Sequence, residues 1–299
     1  MDARTTLGPA EWPDAVIIVP GAGVLRLDGI IVTCANNPLV YNKLVRVEVC
    51  GTLILYNGEI SGNSVGDGVV NWGTFEMYGG KISNNNGNAG YGAGVFNGEG
   101  SAFSMFGGVI SNNMGFGVYN RGVYNWGWSY GVFSMSGGEI SNNDGGVLNR
   151  GIFSMSGGEI SNNVGENGGG VSNSGIFSMS GGEISNNQAT YGGGVYNWPD
   201  GNFSLSENGV ISNNKAEVGG GVYNAGTFNR RDGVVSGNTA EQYNDIYSHN
   251  DIHELPDENG APFNIRCIVI TVIVVLMISI VAVFLFYFRK RLISRGKMT

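Results

Sequence analysis

Three glutamates are the first residues whose spacing could do chemistry. Glu139, Glu159 and Glu183 each precede the isoleucine in identical copies of the phrase SGGEISNN, so the same local fold must place them alike. If the copies are stacked strands, the three carboxylates stand about 4.8 Å apart on one outward column and repel unless water and salt screen them. Screening at an exposed edge is the plain expectation. The alternative is a bound divalent cation such as Ca2+, for which carboxylate oxygens are suitable hard ligands. A second outward column is aromatic. Val-Tyr-Asn recurs with Tyr119, Tyr124, Tyr196 and Tyr223, and tryptophans follow at Trp126, Trp128 and Trp198. Such a strip can stack on sugar rings or receive a partner protein. Leu148 and Ser172 interrupt it, and tyrosines on a solvent face are otherwise ordinary strand formers.

Catalysis needs groups that converge, and here they do not. Asp28, Asp67, Asp144, Asp200 and Asp232 fall at different positions of the repeat and never form a stacked pair. The two histidines, His249 and His253, fall next to and within a polar stalk. Arg230, Arg231 and Asp232 make one charged knot, expected to be a polar end-cap rather than an acid–base site. No catalytic residue is assigned.

The elements that position these columns are legible in the repeat itself. Anchored on the isoleucine of GGEISNN, the copies fall at Ile60, Ile82, Ile110, Ile140, Ile160, Ile184 and Ile211, then Val235, with spacings of 22, 28, 30, 20, 24, 27 and 24 residues. A weaker copy at 23–33, GVLRLDGIIVT, makes nine. An irregular period of this size argues for a solenoid with variable loops. Within each copy Phe133 and Met135 alternate with Ser134 and Ser136, the period-2 pattern of strands with one buried face. The glycines and asparagines punctuate too often for any helix. Phe75, Phe103, Phe133, Phe153, Phe177, Phe203 and Phe228 are expected to stack inside, with Met77, Met105, Met135, Met155, Met179 and Leu205 beside them. The asparagines two residues after each isoleucine (Asn84, Asn112, Asn142, Asn162, Asn186, Asn213) are expected to point inward and bond from coil to coil. Nine rungs give a length of about 43 Å. Residues 239–250 lack the GGG turn and are expected to close the open strand edge.

Composition agrees. Of 299 residues 52 are glycine and only 13% are charged, yet 42% are hydrophobic and alternate regularly, which a disordered chain would not show. Residues 1–266 hold all 24 acidic and 11 of 16 basic residues, a net 11 − 24 = −13. That balance would repel nucleic acid, so no nucleic-acid partner is expected. The three cysteines have no metal-site spacing, and Cys34 and Cys50 are expected to be buried free thiols, a bridge between them being the alternative.

The phrases GGxIS(N/G)N and GGGVYN resemble right-handed parallel β-helix repeat proteins of the pectin-lyase-like superfamily. Within that group they are most similar to archaeal adhesin-like surface proteins, and the GGxI half also resembles polymorphic outer-membrane protein repeats. The similarity covers roughly residues 23–250. It implies an all-β fold, a right-handed parallel β-helix of about nine coils, and a non-catalytic surface protein for adhesion or for binding glycans or proteins. The superfamily's lyases and hydrolases imply the alternative, an exported polysaccharide-active enzyme.

Beyond the repeats, residues 267–288 carry no charge over 22 positions, about 33 Å as a helix and long enough to span a bilayer. Arg289, Lys290, Arg291, Arg295 and Lys297 follow, against Arg266 alone on the other side. The expectation is one C-terminal transmembrane α-helix in the plasma membrane, with 289–299 cytoplasmic and the β-helix extracellular. Residues 1–22 then read as a cap or a truncated start, 23–250 as the β-helix and 251–266 as a polar stalk. Nothing in residues 1–30 resembles a signal peptide, so this topology implies an export signal missing from the chain.

Overall fold

The computed structural model describes residues 15–34, 43–87, 92–122, 129–248 and 253–254. Each coil consists of three short strands separated by turns, and successive coils pair strand to strand in parallel. The Phe strands run from Val24–Leu27 through Ala102–Met105 and Val132–Met135 to Thr227–Arg231. The Ile strands run from Ile30–Thr33 through Glu139–Ser141 to Val234–Ser236. In two coils the two fuse into single long strands, Ile152–Ser161 and Ile176–Ser185. The Asn strands form a separate ten-stranded sheet, from Ile17–Val19 to Ile246–Ser248. The repeat expectation holds: nine Ile rungs stack in one parallel solenoid, from Val32 through the seven isoleucines to Val235.

A coil this small cannot bury a core alone, so like side chains stack along the axis. The Phe75, Phe103, Phe133, Phe153, Phe177 and Phe203 rings are fully buried and nearly parallel, with centroids 4.7–4.8 Å apart. Leu53 and Phe228 continue the column at its two ends. The methionines and Leu205 are buried beside them. Glycine is required where the chain doubles back between Phe and Ile strands: Gly158 has φ 85°, and a Cβ there would lie 2.7 Å from Met135 Cε and 2.8 Å from the Gly138 carbonyl.

The asparagine expectation is corrected by one residue. Asn84, Asn112, Asn142, Asn162, Asn186 and Asn213 are exposed, with φ of 56–57°, and turn the chain at the end of each Ile strand. Asparagine tolerates this left-handed conformation better than other side chains. The left-handed residue breaks the strand's alternation, so the next residue points inward. The internal ladder is therefore Asn85, Asn113, Asn143, Asn163, Asn187, Asn214 and Asn238, all buried. In each rung Nδ2 donates to Oδ1 of the next coil at 2.9–3.0 Å, and that Oδ1 also accepts the backbone N–H. Nδ2 further donates to the isoleucine carbonyl of the preceding coil, so every valence of the amide is met. A second ladder, Asn71, Asn97, Asn120, Asn149, Asn173, Asn197 and Asn224, runs at the end of the Asn strands with 2.8 Å bonds. Both run the same way, each coil donating to the next, and they reach Ser248 Oγ in one case and the Asp245 carboxylate in the other.

The described part of the 239–250 segment extends the sheets where it was expected to close the open strand edge. Thr239–Gln242 and Ile246–Ser248 each pair with the coil before as further rungs. Cys34 and Cys50 are free thiols; Cys34 is buried, but Cys50 is exposed in a turn at φ 63°, which corrects the expectation of two buried thiols.

Candidate functional site

The Asn sheet carries an outward column in register: Val70, Phe96, Tyr119, Leu148, Ser172, Tyr196, Tyr223 and Tyr247. Leu148 and Ser172 interrupt the tyrosines, as the sequence indicates. Of the sequence-predicted site residues, Tyr119 points outward but is covered. It is 6% exposed, edge-on to Phe96 at 5.2 Å and under the Arg150 guanidinium at 5.7 Å. This ring is therefore not a free binding face, a correction caused by its bulky neighbours on adjacent rungs. Tyr124, Trp126 and Trp128 lie outside the described residues.

The remaining three predicted residues, Tyr196, Trp198 and Tyr223, do come together, joined by tyrosines that the sequence did not single out. Tyr196 stacks on Tyr223 at 4.8 Å and 10°, and Tyr223 meets Tyr247 at 4.6 Å. Tyr191 closes on Tyr223 edge-on at 5.6 Å, and Tyr243 on Tyr247 at 4.9 Å. Trp198 leaves the column's neighbouring position and folds over the gap at Ser172: its indole N–H donates to Ser172 Oγ at 3.0 Å while its ring stands edge-on to Tyr196 at 4.7 Å. The small serine thus leaves room for the indole, which is 37% exposed and fixed by one hydrogen bond and one ring contact. The result is one aromatic surface over the last three rungs of the sheet. Burial, followed by repulsion from neighbouring phenols, raises the pKa of Tyr196 and Tyr223 above the usual tyrosine value. The phenols therefore stay neutral hydrogen-bonding groups across ordinary pH.

The glutamates also fall where the repeat places them. Glu139, Glu159 and Glu183 are in register on adjacent Ile strands, with Val109 before and Val210 after. They line an open groove of about 750 Å³ floored by Gly108, Gly138, Gly158 and Gly182. Ser141, Ser161 and Ser185, which follow the isoleucines of these three coils, are buried. At the end of the row Glu183 Oε1 accepts the Ser212 hydroxyl of the next coil at 3.0 Å. Among the described residues no group of three or more His, Cys, Asp or Glu side chains has the arrangement to hold a metal ion. The charged knot is tied to its own turn: Arg230 Nε donates to the Gly233 carbonyl at 2.8 Å, and Asp232 sits at φ 59°.

One exposed feature carries no sequence expectation. Tyr56, Tyr78 and Phe106 stack outward on three adjacent rungs at 5.2 and 4.8 Å, and the Tyr78 hydroxyl donates to Glu76 Oε2 at 3.3 Å. Partial burial and then the charge of Glu76 raise the Tyr78 pKa. The available signal was the residue before each GG or NG turn, which reads Tyr, Tyr, Phe and then Ser in successive copies.

Fold and outward columns together define the class: a parallel β-helix repeat protein with two aromatic surfaces. No family model matches the chain, and no curated protein or solved structure shows a significant likeness to it.

Proposed function

We propose that the solenoid is the displayed, ligand-binding part of a single-pass surface protein and acts by adhesion rather than catalysis. The observation that carries this reading is the aromatic surface of Tyr191, Tyr196, Trp198, Tyr223, Tyr243 and Tyr247. A flat indole pinned in place loses little freedom on binding, and neighbouring neutral phenols supply hydroxyls, a combination suited to the rings and hydroxyls of a glycan. The resemblance to the pectin-lyase-like superfamily and to archaeal adhesin-like proteins, with a right-handed coil, belongs to the same reading. So does residue span 267–288 as the plasma-membrane anchor, a segment outside the described residues. An acidic body is consistent with glycan or protein ligands and disfavours nucleic acid.

Screening the full-length chain against neutral and acidic polysaccharides tests this. Saturable binding without product, lost in Trp198→Ala, is the expected outcome. Turnover of any polysaccharide that disappears in Arg231→Ala or Asp232→Ala would establish the enzyme instead.

A further inference from the structure

The Phe strands keep their inward residues along the axis but change their outward chemistry midway. In the coils of Phe133, Phe153 and Phe177 the outward pairs are Ser134/Ser136, Ser154/Ser156 and Ser178/Ser180, all exposed. In the three coils before them the same two positions hold Ile54/Tyr56, Glu76/Tyr78 and Ser104/Phe106. Backbone bonds fix the register: Tyr56 N–H donates to Leu27, Tyr78 and Phe106 N–H to Leu55 and Met77, and Ser136 N–H to Met105. Serine at this position satisfies the fold, so the rings are not needed to build the coil. Yet Tyr56, Tyr78 and Phe106 are 45%, 44% and 48% exposed. Three large rings on adjacent rungs form an apolar ledge of the sort that marks an interaction surface.

The chemistry around the ledge selects the partner. Stacking covers one face of Tyr56 with Tyr78 and leaves the other toward the first coil, whose two outward positions hold the exposed Arg26, in the column of Glu76, and the exposed Asp28, in the column of Tyr56. Glu76 stands beside Tyr78 on the same face. An aromatic face attracts cations, and a carboxylate one rung away completes a site for positive charge. Guanidinium suits it best, being planar enough to stack and able to bond a carboxylate with its edge. The net charge of −13 over residues 1–266 favours a basic partner over the longer range.

We propose that Tyr56, Tyr78 and Phe106, with Asp28 and Glu76, form a docking surface for a basic protein segment. It presents an arginine over the open face of Tyr56 and apolar side chains along the ring edges of Tyr78 and Phe106. This surface lies on a different sheet from the Trp198 cluster and stands without it.

The test uses the full-length chain and two probes, acetyl-Arg-Leu-Arg-Leu-amide and its Gln-Leu-Gln-Leu counterpart, by isothermal titration. The arginine peptide is expected to bind saturably and more tightly. Tyr56→Ser and Asp28→Asn each weaken it about fivefold, and the triple serine variant at 56, 78 and 106 abolishes binding. Serine already occupies this position in the later coils, so these variants keep the fold, which far-UV dichroism checks. Trp198→Ala leaves the peptide affinity unchanged. The proposal is overturned if the arginine peptide does not bind saturably, if the glutamine peptide binds equally well, or if the triple variant binds as the parent does. Binding of an uncharged tetrasaccharide at the ledge in place of the peptide also overturns it.

Discussion

Replacing Asn163 by alanine removes one rung of a buried amide ladder, and its effect can be worked out bond by bond. Asn163 Oδ1 accepts both the backbone N–H and Nδ2 of Asn143 at 3.0 Å. Its Nδ2 donates to the Ile140 and Ser161 carbonyls and to Asn187 Oδ1 at 2.9–3.0 Å. Alanine therefore strips the buried Asn143 N–H of its acceptor and takes a second bond from the Ile140 carbonyl, which keeps its place in the parallel ladder. At 1–3 kcal/mol for the unsatisfied group and about 1 kcal/mol for the other lost bonds, the loss is roughly 2–4 kcal/mol. The adjacent Asn162 provides the internal control, since it is exposed and left-handed at φ 57°. Asn162→Ala incurs the difference in left-handed strain, about 1 kcal/mol, and loses the long 3.3 Å bond from Nδ2 to Ser161 Oγ, whereas Asn162→Gly loses that bond alone. Urea denaturation of the full-length chain in mild detergent, followed by far-UV dichroism, compares the three variants with the parent. An Asn162→Ala shift equal to or larger than that of Asn163→Ala would refute the ladder assignment.

Other perturbations have equally definite outcomes. Gly158→Ala forces left-handed strain and a Cβ into Met135 Cε, so it lowers stability by more than about 2 kcal/mol in the same denaturation assay. Asp245→Ala takes the acceptor from Asn238 N–H and Nδ2, bonds of 3.1 and 3.0 Å, and is expected to destabilise the last coil by ~2 kcal/mol. Asp245→Asn keeps an acceptor oxygen and most of that stability, and hydrogen exchange of residues 234–248 reads both. The raised pKa of Tyr196 and Tyr223 means that the unfolded chain ionises first as pH rises. Their contribution is whole below about pH 10 and declines above it. Absorbance titration is expected to show late-ionising tyrosines that Tyr196→Phe and Tyr223→Phe remove.

How much of this is legible in the sequence depends on whether a residue builds the coil. Phe133, Met135 and Ile140 recur in most copies, with Leu53, Leu55 and Val235 in the same slots elsewhere, because each must fill the same interior space, so their columns can be read from alternation and spacing alone. The turn asparagines mislead because alternation predicts direction only while the backbone stays extended. A left-handed Asn162 resets the phase, and the buried partner becomes Asn163. Outward residues leave a weaker trace. Tyr196 and Tyr223 share a phrase and can be found, but Tyr247 continues their column in Ile-Tyr-Ser, outside that phrase, and Tyr191 and Tyr243 join from outside these strands. The Tyr56 ledge escapes notice because that position is free to vary, and Tyr119 misleads because Phe96 and Arg150 cover it from other rungs.

The functional account depends most on which side of the membrane carries the solenoid. The direct measurement is protease added to intact cells expressing the full-length native gene, followed by detection of the solenoid and of the basic tail. Loss of the solenoid with retention of a small fragment containing residues 289–299 is the predicted result. A solenoid fully protected until the cells are lysed would place it in the cytosol and contradict the adhesion reading.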